Sequence, residues 1–380
     1  MSRSSRLPVF AFLTLLASAA WCQSYPPVWN PLAHYASGDQ VQLSGNVYRA
    51  VKAVSNGLSP ASDYSDWELN FVRANTTLMI GVNQPFPTLA AAWTYALNAR
   101  VADGAYLHFY ISSANGNFEE GFAAPFLLDH ASGPRMAILG DNNAKDSLTF
   151  SNTNGFIVDT GHSFNTLSGL TMENTGTNST TAIGIRADYD ATISSVSSIA
   201  ILGFPVCIQS IQSASIGVSS SCQITDFTVY GLDAEANGSI VVSSGLTMTG
   251  SLADSQVAFY ASTGGLILAP DVTLSSFAEG IEATQGGTVV SPDSALSGCF
   301  GGCVAQYGGK IIIRQADITG GVVGCQAAVQ GIIDVTDSNC NQNGTDLYAL
   351  DGGMINATNA IYTRSQVDSS DGSYIETFTD

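Results

Sequence analysis

Asp233, Glu235 and Glu282 are the side chains whose type and spacing could do chemistry. Asp233 and Glu235 stand two residues apart, so in an extended strand their carboxyl groups point the same way, about 7 Å apart. If the chain rises in coils, Asp233 and Glu282 fall two coils apart, about 10 Å by strand spacing. Two carboxyl groups separated by roughly 6.5–9.5 Å hydrolyse a glycosidic bond with inversion, one as acid and one as base for a water. One of the two then needs a raised pKa, which burial or a neighbouring carboxylate supplies. Tyr260 falls between them and offers a ring for stacking on a sugar. A competing reading makes these residues ordinary solvated acids. The chain carries 31 acidic against 12 basic residues, so acids gather on an outer face simply to keep it soluble.

The element that must position these carboxylates is a repeat. Gly265, Gly287, Gly309, Gly331 and Gly353 recur every 22 residues. Each follows an alanine by four residues: Ala261, Ala283, Ala305, Ala327 and Ala349. Two residues before each alanine stands Phe259, Ile281, Cys303, Cys325 or Leu347. The runs are short and rich in Val, Ile, Thr and Ser, and they alternate as strands do. A fixed period of this size predicts an all-β solenoid, a parallel β-helix in which equivalent residues stack about 4.8 Å apart. The residue between the apolar position and the alanine then faces outward. That column reads Arg186, Gln209, Asp233, Tyr260, Glu282, Val304, Gln326 and Tyr348. The pair Gly286-Gly287 is expected to allow a turn that side chains resist.

Residues 25–72 differ in composition, with aromatics crowded together at Tyr25, Trp29, Tyr35, Tyr48, Tyr64 and Trp67. Val41–Leu43 and Val47–Val51 predict a hairpin around Ser44-Gly45-Asn46. The ordered set Trp29, Tyr35, Gly38-Asp39, Val41, Gly45, Val47-Tyr48, Ala50 and Trp67 resembles the small chitin-binding type of carbohydrate-binding module, families 5 and 12. The resemblance implies glycan binding, with Trp29, Tyr48 and Trp67 as sugar platform or core. The same residues also read as a connector whose aromatics are all core. Thr88 predicts the cap of a helix near 88–99, with Leu89, Trp93 and Leu97 on one stripe, covering the open end of the solenoid. Leu107–Ile111 is expected as the first strand and Met136–Gly140 as the next clear one. This arrangement, with the coil phrase Gly280 to Val289, resembles pectin lyase-like right-handed parallel β-helix proteins of the phage tail-fibre and tailspike type. That likeness spans roughly residues 80 to 375, within a parallel β-helix domain expected over residues 75–380. It implies a right-handed coil and points to a homotrimer, although no coiled coil accompanies it.

Arg3, Arg6 and the apolar run Leu7–Ala20 predict a signal peptide over residues 1–20, and hence a secreted protein. The formal charge of −19 argues against nucleic acid and anionic membrane surfaces as partners. No run is long and apolar enough to predict a membrane span. Cys303 and Cys325 share a column and suit either a disulfide or a reduced inward ladder. His34, His108, His130 and His162 are scattered, so no metal site and no cofactor is expected. Lys310 and Arg314 are the only basic residues of the regular coils after Arg186, which disfavours a lyase. The reading reached from sequence is a secreted protein that binds a polysaccharide or cell-surface glycan, or attaches to a surface, without turnover. The alternatives are a glycoside hydrolase using Asp233, Glu235 or Glu282, and a purely structural spacer or fibre segment.

Overall fold

The computed structural model describes residues 26–55, 59–141, 145–176, 181–252, 255–367 and 372–377. The expected signal peptide lies outside the described residues. The chain is a right-handed parallel β-solenoid with a small N-terminal β module and a short capping helix. Its coils build three faces. One is a thirteen-strand parallel sheet running from Thr76–Ile80 to Tyr374–Glu376. A second is an eleven-strand parallel sheet from Phe126–Leu127 to Ser365–Val367. The third is formed by a five-strand sheet, Phe118–Phe122 to Gln223–Thr225, followed along the coil axis by a four-strand sheet, Thr247–Thr249 to Asp317–Thr319.

The 22-residue period becomes register. Thr288 pairs with Lys310, Lys310 with Ile332, and Ile332 with Met354. Leu232, Phe259, Ile281, Cys303, Cys325 and Leu347 stack inward and are fully buried, as are the alanines two residues later. A closed coil favours apolar side chains inside, with Ser210 among the alanines of the inward column as a buried exception, and each large apolar side chain contributes about 1.5–3 kcal/mol on burial. The core is continuous from Tyr35 to Ala357.

The sheet begins one strand earlier than the sequence suggested. Thr76–Ile80 precedes the helix in the chain and pairs in parallel with Leu107–Ile111, which pairs in turn with Met136–Gly140. The helix spans Leu89–Ala96. The Thr88 side chain accepts from the Ala91 amide, and the Glu120 carboxylate accepts from the amides of Leu89 and Ala90. Three of the helix's otherwise unpaired donors are thus satisfied. Trp93 packs on Phe109, Phe126 and Phe164 and so plugs the first coils. The expected stripe stops short: the helix ends before Leu97, which is 50 % exposed.

In the N-terminal module Gln40–Leu43 pairs antiparallel with Asn46–Ala50, which pairs with Trp67–Val72. The hairpin turns on Ser44 and Gly45, both at positive φ, the two-residue loop that matches strand twist. Trp67–Val72 continues in parallel onto Arg100–Val101. The Tyr95 hydroxyl donates to the Pro60 carbonyl and the Tyr64 ring lies against Phe86, which fastens the module to the helix.

The disulfide expected as one option at Cys303 and Cys325 is not formed. All six described cysteines are free and buried. Cys303 and Cys325 are directly in register, so their side chains project side by side at about strand spacing, whereas a disulfide draws Cβ atoms to about 3.8 Å. The Cys325 thiol is held well above its usual pKa, first by its hydrogen bond with Cys303 and then by burial. A buried neutral thiol is inert. Iodoacetamide is therefore expected to miss both residues in the folded protein and to label both after unfolding in guanidinium without reductant. A Cys303–Cys325 cross-linked peptide in a non-reduced digest would refute this.

Candidate active site

The outward column stands as one physical ladder on the eleven-strand sheet. Arg186, Gln209, Asp233, Tyr260, Glu282, Val304, Gln326 and Tyr348 pair in succession on neighbouring strands. Asp233 on Tyr230–Glu235 and Glu282 on Glu279–Ala283 thus stand two coils apart with Tyr260 between them, about 10 Å by strand spacing. Glu235 pairs with Ile211 and belongs to the column two residues further on.

Asp233 is 1 % exposed although it faces outward. Gln209 Nε2 donates to its Oδ2 at 2.7 Å, while Oδ1 is buried with no hydrogen-bond partner. Its pKa is raised well above the carboxylate range, by burial first and then by the charge of Glu235. The Gln209 hydrogen bond and the Arg186 charge pull weakly the other way. Burial thus favours the neutral form of this carboxyl group, whose Oδ2 accepts from Gln209 while Oδ1 is left free of protein partners.

Two residues that the sequence reading passed over complete the cluster. Tyr230 stacks on Tyr260 with ring centroids 4.2 Å apart and planes 9° from parallel. Glu279 lies beside Glu282. Burial pushes its pKa up to about 7, with the Glu282 charge and a contact between the two carboxyl groups adding to the rise. Glu282 is steadied by Gln306, whose Nε2 donates to Oε1 at 2.8 Å. Tyr230 and Glu279 share one offset, three residues before Asp233 and Glu282, in the ladder Val206, Tyr230, Val257, Glu279, Gly301. Reading the columns at that offset as well would have found both.

Arg186 stands two strands from Asp233 on the same ladder, while Lys310 and Arg314 lie elsewhere. Arg186 Nη2 is held by Asp188 Oδ2 at 2.5 Å. Lys310–Ile312 belongs to the thirteen-strand sheet, and Arg314 is bound to Asp334 by its Nε at 2.8 Å and its Nη2 at 2.5 Å.

The aromatic platform expected on the N-terminal module is corrected by burial. Trp67 is 0 % and Tyr48 4 % exposed, because both sit on the covered face of the small sheet, where Trp67 meets Tyr35 edge-on. Neither presents a ring face to a sugar. Trp29 is half-buried against the same core. A sheet this small closes its core by spending its aromatics there. Of the four aromatic residues singled out, only Tyr260 joins the carboxylates.

The Glu279 pKa carries a stability consequence. Its folded pKa of about 7 exceeds the ordinary 4.5, so the folded state binds the extra proton and stability falls as pH rises through that window. Glu279→Gln removes the penalty. Its melting temperature is expected to exceed that of the parent at pH 8, by on the order of 1–3 kcal/mol in stability, and to match it near pH 4. Equal melting at both pH values would remove Glu279 from the cluster.

Among the described residues no helix is long and apolar enough to cross a membrane. No protein-family model and no curated protein matches the chain. Among solved structures the chain is similar to one titled "Catalytic domain of GH87 alpha-1,3-glucanase in complex with nigerose", at 15 % sequence identity and a TM-score of 0.47, covering 71 % of this chain and 63 % of that chain.

Proposed function

We propose that this chain is an exported glycoside hydrolase acting on an extracellular polysaccharide, with Asp233 as proton donor and Glu282 as base. The observation that carries the reading is the pairing of opposite carboxyl environments across Tyr260. Asp233 is buried, its pKa is raised by that burial, and its Oδ1 is unpartnered. Glu282 is more open and held by Gln306. Environments that drive two carboxyl groups apart in pKa assign the acid and the base.

A sugar lying over the Tyr230–Tyr260 stack spans the ladder between the two groups. Asp233 Oδ1 gives its proton to the glycosidic oxygen as the bond from that oxygen to the anomeric carbon breaks. Glu282 takes a proton from the water that attacks the anomeric carbon from the other side. The separation of two coils leaves room for that water and implies inversion. Glu279, whose pKa burial pushes up to about 7, stands with its carboxyl group against that of Glu282. A lyase fits less well, because Arg186, the cation of this ladder, is already held by Asp188.

The burial of Asp233 also favours a second reading, glycan binding without turnover, since a chain must displace the cover over Oδ1 before any proton moves. Release of reducing ends from a panel of polysaccharides separates the two. Product from the parent, lost in Asp233→Asn and Glu282→Gln, is the expected result. Retention on an insoluble glycan with no product from the whole panel would leave the binding reading in its place.

A further inference from the structure

The outward ladder holds a second place where polar atoms stand open. We propose that the Arg186–Asp188 pair is a remote sugar subsite, which takes the hydroxyl groups of a neutral hexose unit. It rests on the hydrolase reading for its choice of face, but it concerns recognition away from the carboxylates assigned to cleavage. Arg186 lies two strands before Asp233 on the ladder, and Glu282 two strands beyond it. The three mark equal steps of about 10 Å along the coil axis, so a glycan running over Asp233 and Glu282 reaches Arg186 when it is long enough.

The ion pair is incomplete. Arg186 Nη2 donates to Asp188 Oδ2 at 2.5 Å, but Arg186 Nε and Asp188 Oδ1 are both buried with no hydrogen-bond partner. Asp188 as a whole is 6 % exposed. Such atoms are costly unless something binds there. An ion pair that serves the scaffold alone has no reason to leave them open, and this chain contains one that does not. Arg314 gives both Nε and Nη2 to Asp334 Oδ2, while Asp334 Oδ1 accepts from the amide and hydroxyl of Thr336. The residue types are the same; one pair is closed and the other is left with a donor and an acceptor to spare.

The chemistry of the spare atoms names the occupant. Nε offers a hydrogen and Oδ1 offers a lone pair. A hydroxyl returns both, a lone pair to Nε and a hydrogen to Oδ1, and a hexose carries hydroxyls on neighbouring carbons. A uronate or sulfate would accept from Nε, but it has no hydrogen for Oδ1 and meets Asp188 as a like charge. An ammonium group has no lone pair for Nε. Hydrogen bonds to charged groups are the strong ones, and the pair is expected to contribute about tenfold or more in affinity.

Titration calorimetry of the full chain tests this, with Glu282→Gln in every protein so that binding is read without turnover. The probes are trimers and hexamers of β-1,4-glucose, β-1,3-glucose and α-1,3-glucose, and the galacturonate hexamer. At least one glucose hexamer is expected to bind about tenfold or more tightly than its trimer. Asp188→Asn, which alters the acceptor, and Arg186→Lys, which keeps a cation for Asp188 but lacks the Nε hydrogen, should each remove that gain and leave the trimer as it was. Equal losses for trimer and hexamer would show a scaffold role and overturn the proposal. Hexamer binding untouched by both variants would mean that a water fills the pair, and overturns it too. So does absence of binding by every glucose hexamer, or tighter binding of galacturonate. Reducing ends released by the parent without this length-dependent loss would leave the hydrolase reading standing and the subsite refuted; the loss without any release would do the reverse.

Discussion

Asp233→Asn is expected to lower kcat on any glycan the protein cleaves by about 10²–10⁴-fold, the usual contribution of a positioned general acid, with KM little changed. The reason is local. Gln209 already occupies Oδ2 as an acceptor, so in the proposed mechanism the proton leaves from Oδ1, and the amide of the variant has no acid proton to give. Substrates with activated leaving groups need no protonation, so aryl glycosides should recover most of the lost rate in the variant. A variant that merely misfolded would fail on both substrate types.

The pH profile supplies an independent check. Burial first, and the Glu235 charge second, raise the Asp233 pKa. The folded state therefore holds a proton that the unfolded chain releases above its ordinary 3.8, and stability declines as pH rises above that value. Asp233→Asn should flatten the decline, and calorimetric melting between pH 4 and 8 reads it directly. If the variant loses activity but melts with the same pH dependence as the parent, the proton is not on Asp233.

The part of the site that sequence revealed was the part that repetition fixes. Tyr260 and Glu282 fall in one column because glycines 22 residues apart impose register, Asp233 joins them across a longer, 27-residue coil through the shared apolar–x–alanine phrase Leu232-Asp233-Ala234, and parallel pairing turns that column into a ladder. Tyr230 and Glu279 escaped because their ladder has no common residue type, running Val206, Tyr230, Val257, Glu279, Gly301. Burial was harder to read than register. Nothing in the spelling of a strand says that Asp233 is covered, since the cover comes from neighbouring coils. The same holds for Trp67 and Tyr48: their order matched a binding module, but whether a ring faces solvent depends on what packs against that sheet. The strand Thr76–Ile80 lay hidden for a related reason, since its partner Leu107–Ile111 comes only after the helix and cap.

The glycines that revealed the fold also give the sharpest test of it, because neighbouring glycines in one turn act through different physics. Gly308 sits at φ +75 with open space around it, and an added Cβ there would meet nothing within 4 Å. Gly308→Ala should cost only the left-handed backbone penalty, about 1–2 kcal/mol. Gly309 has no such φ. A Cβ there would lie 2.0 Å from the Ala283 carbonyl oxygen of the preceding coil and 2.7 Å from the Thr284 amide nitrogen. Both are backbone atoms, which cannot swing aside, and Lys310 N donates to Gly287 O on the same stack at 2.9 Å. Gly265, Gly287, Gly331 and Gly353 meet the carbonyls of Ala234, Ala261, Ala305 and Ala327 in the same way. The period-bearing glycine is thus required for close approach of coils, not for the turn's φ, which Gln330 adopts at +65 without being glycine. Gly309→Ala should therefore cost about 3 kcal/mol or more, well beyond Gly308→Ala, in guanidinium unfolding of the two variants side by side. Equal losses, or a greater loss at Gly308, would mean that the coils do not stack where the ladder places them, and the carboxylates built on that ladder would no longer face one another.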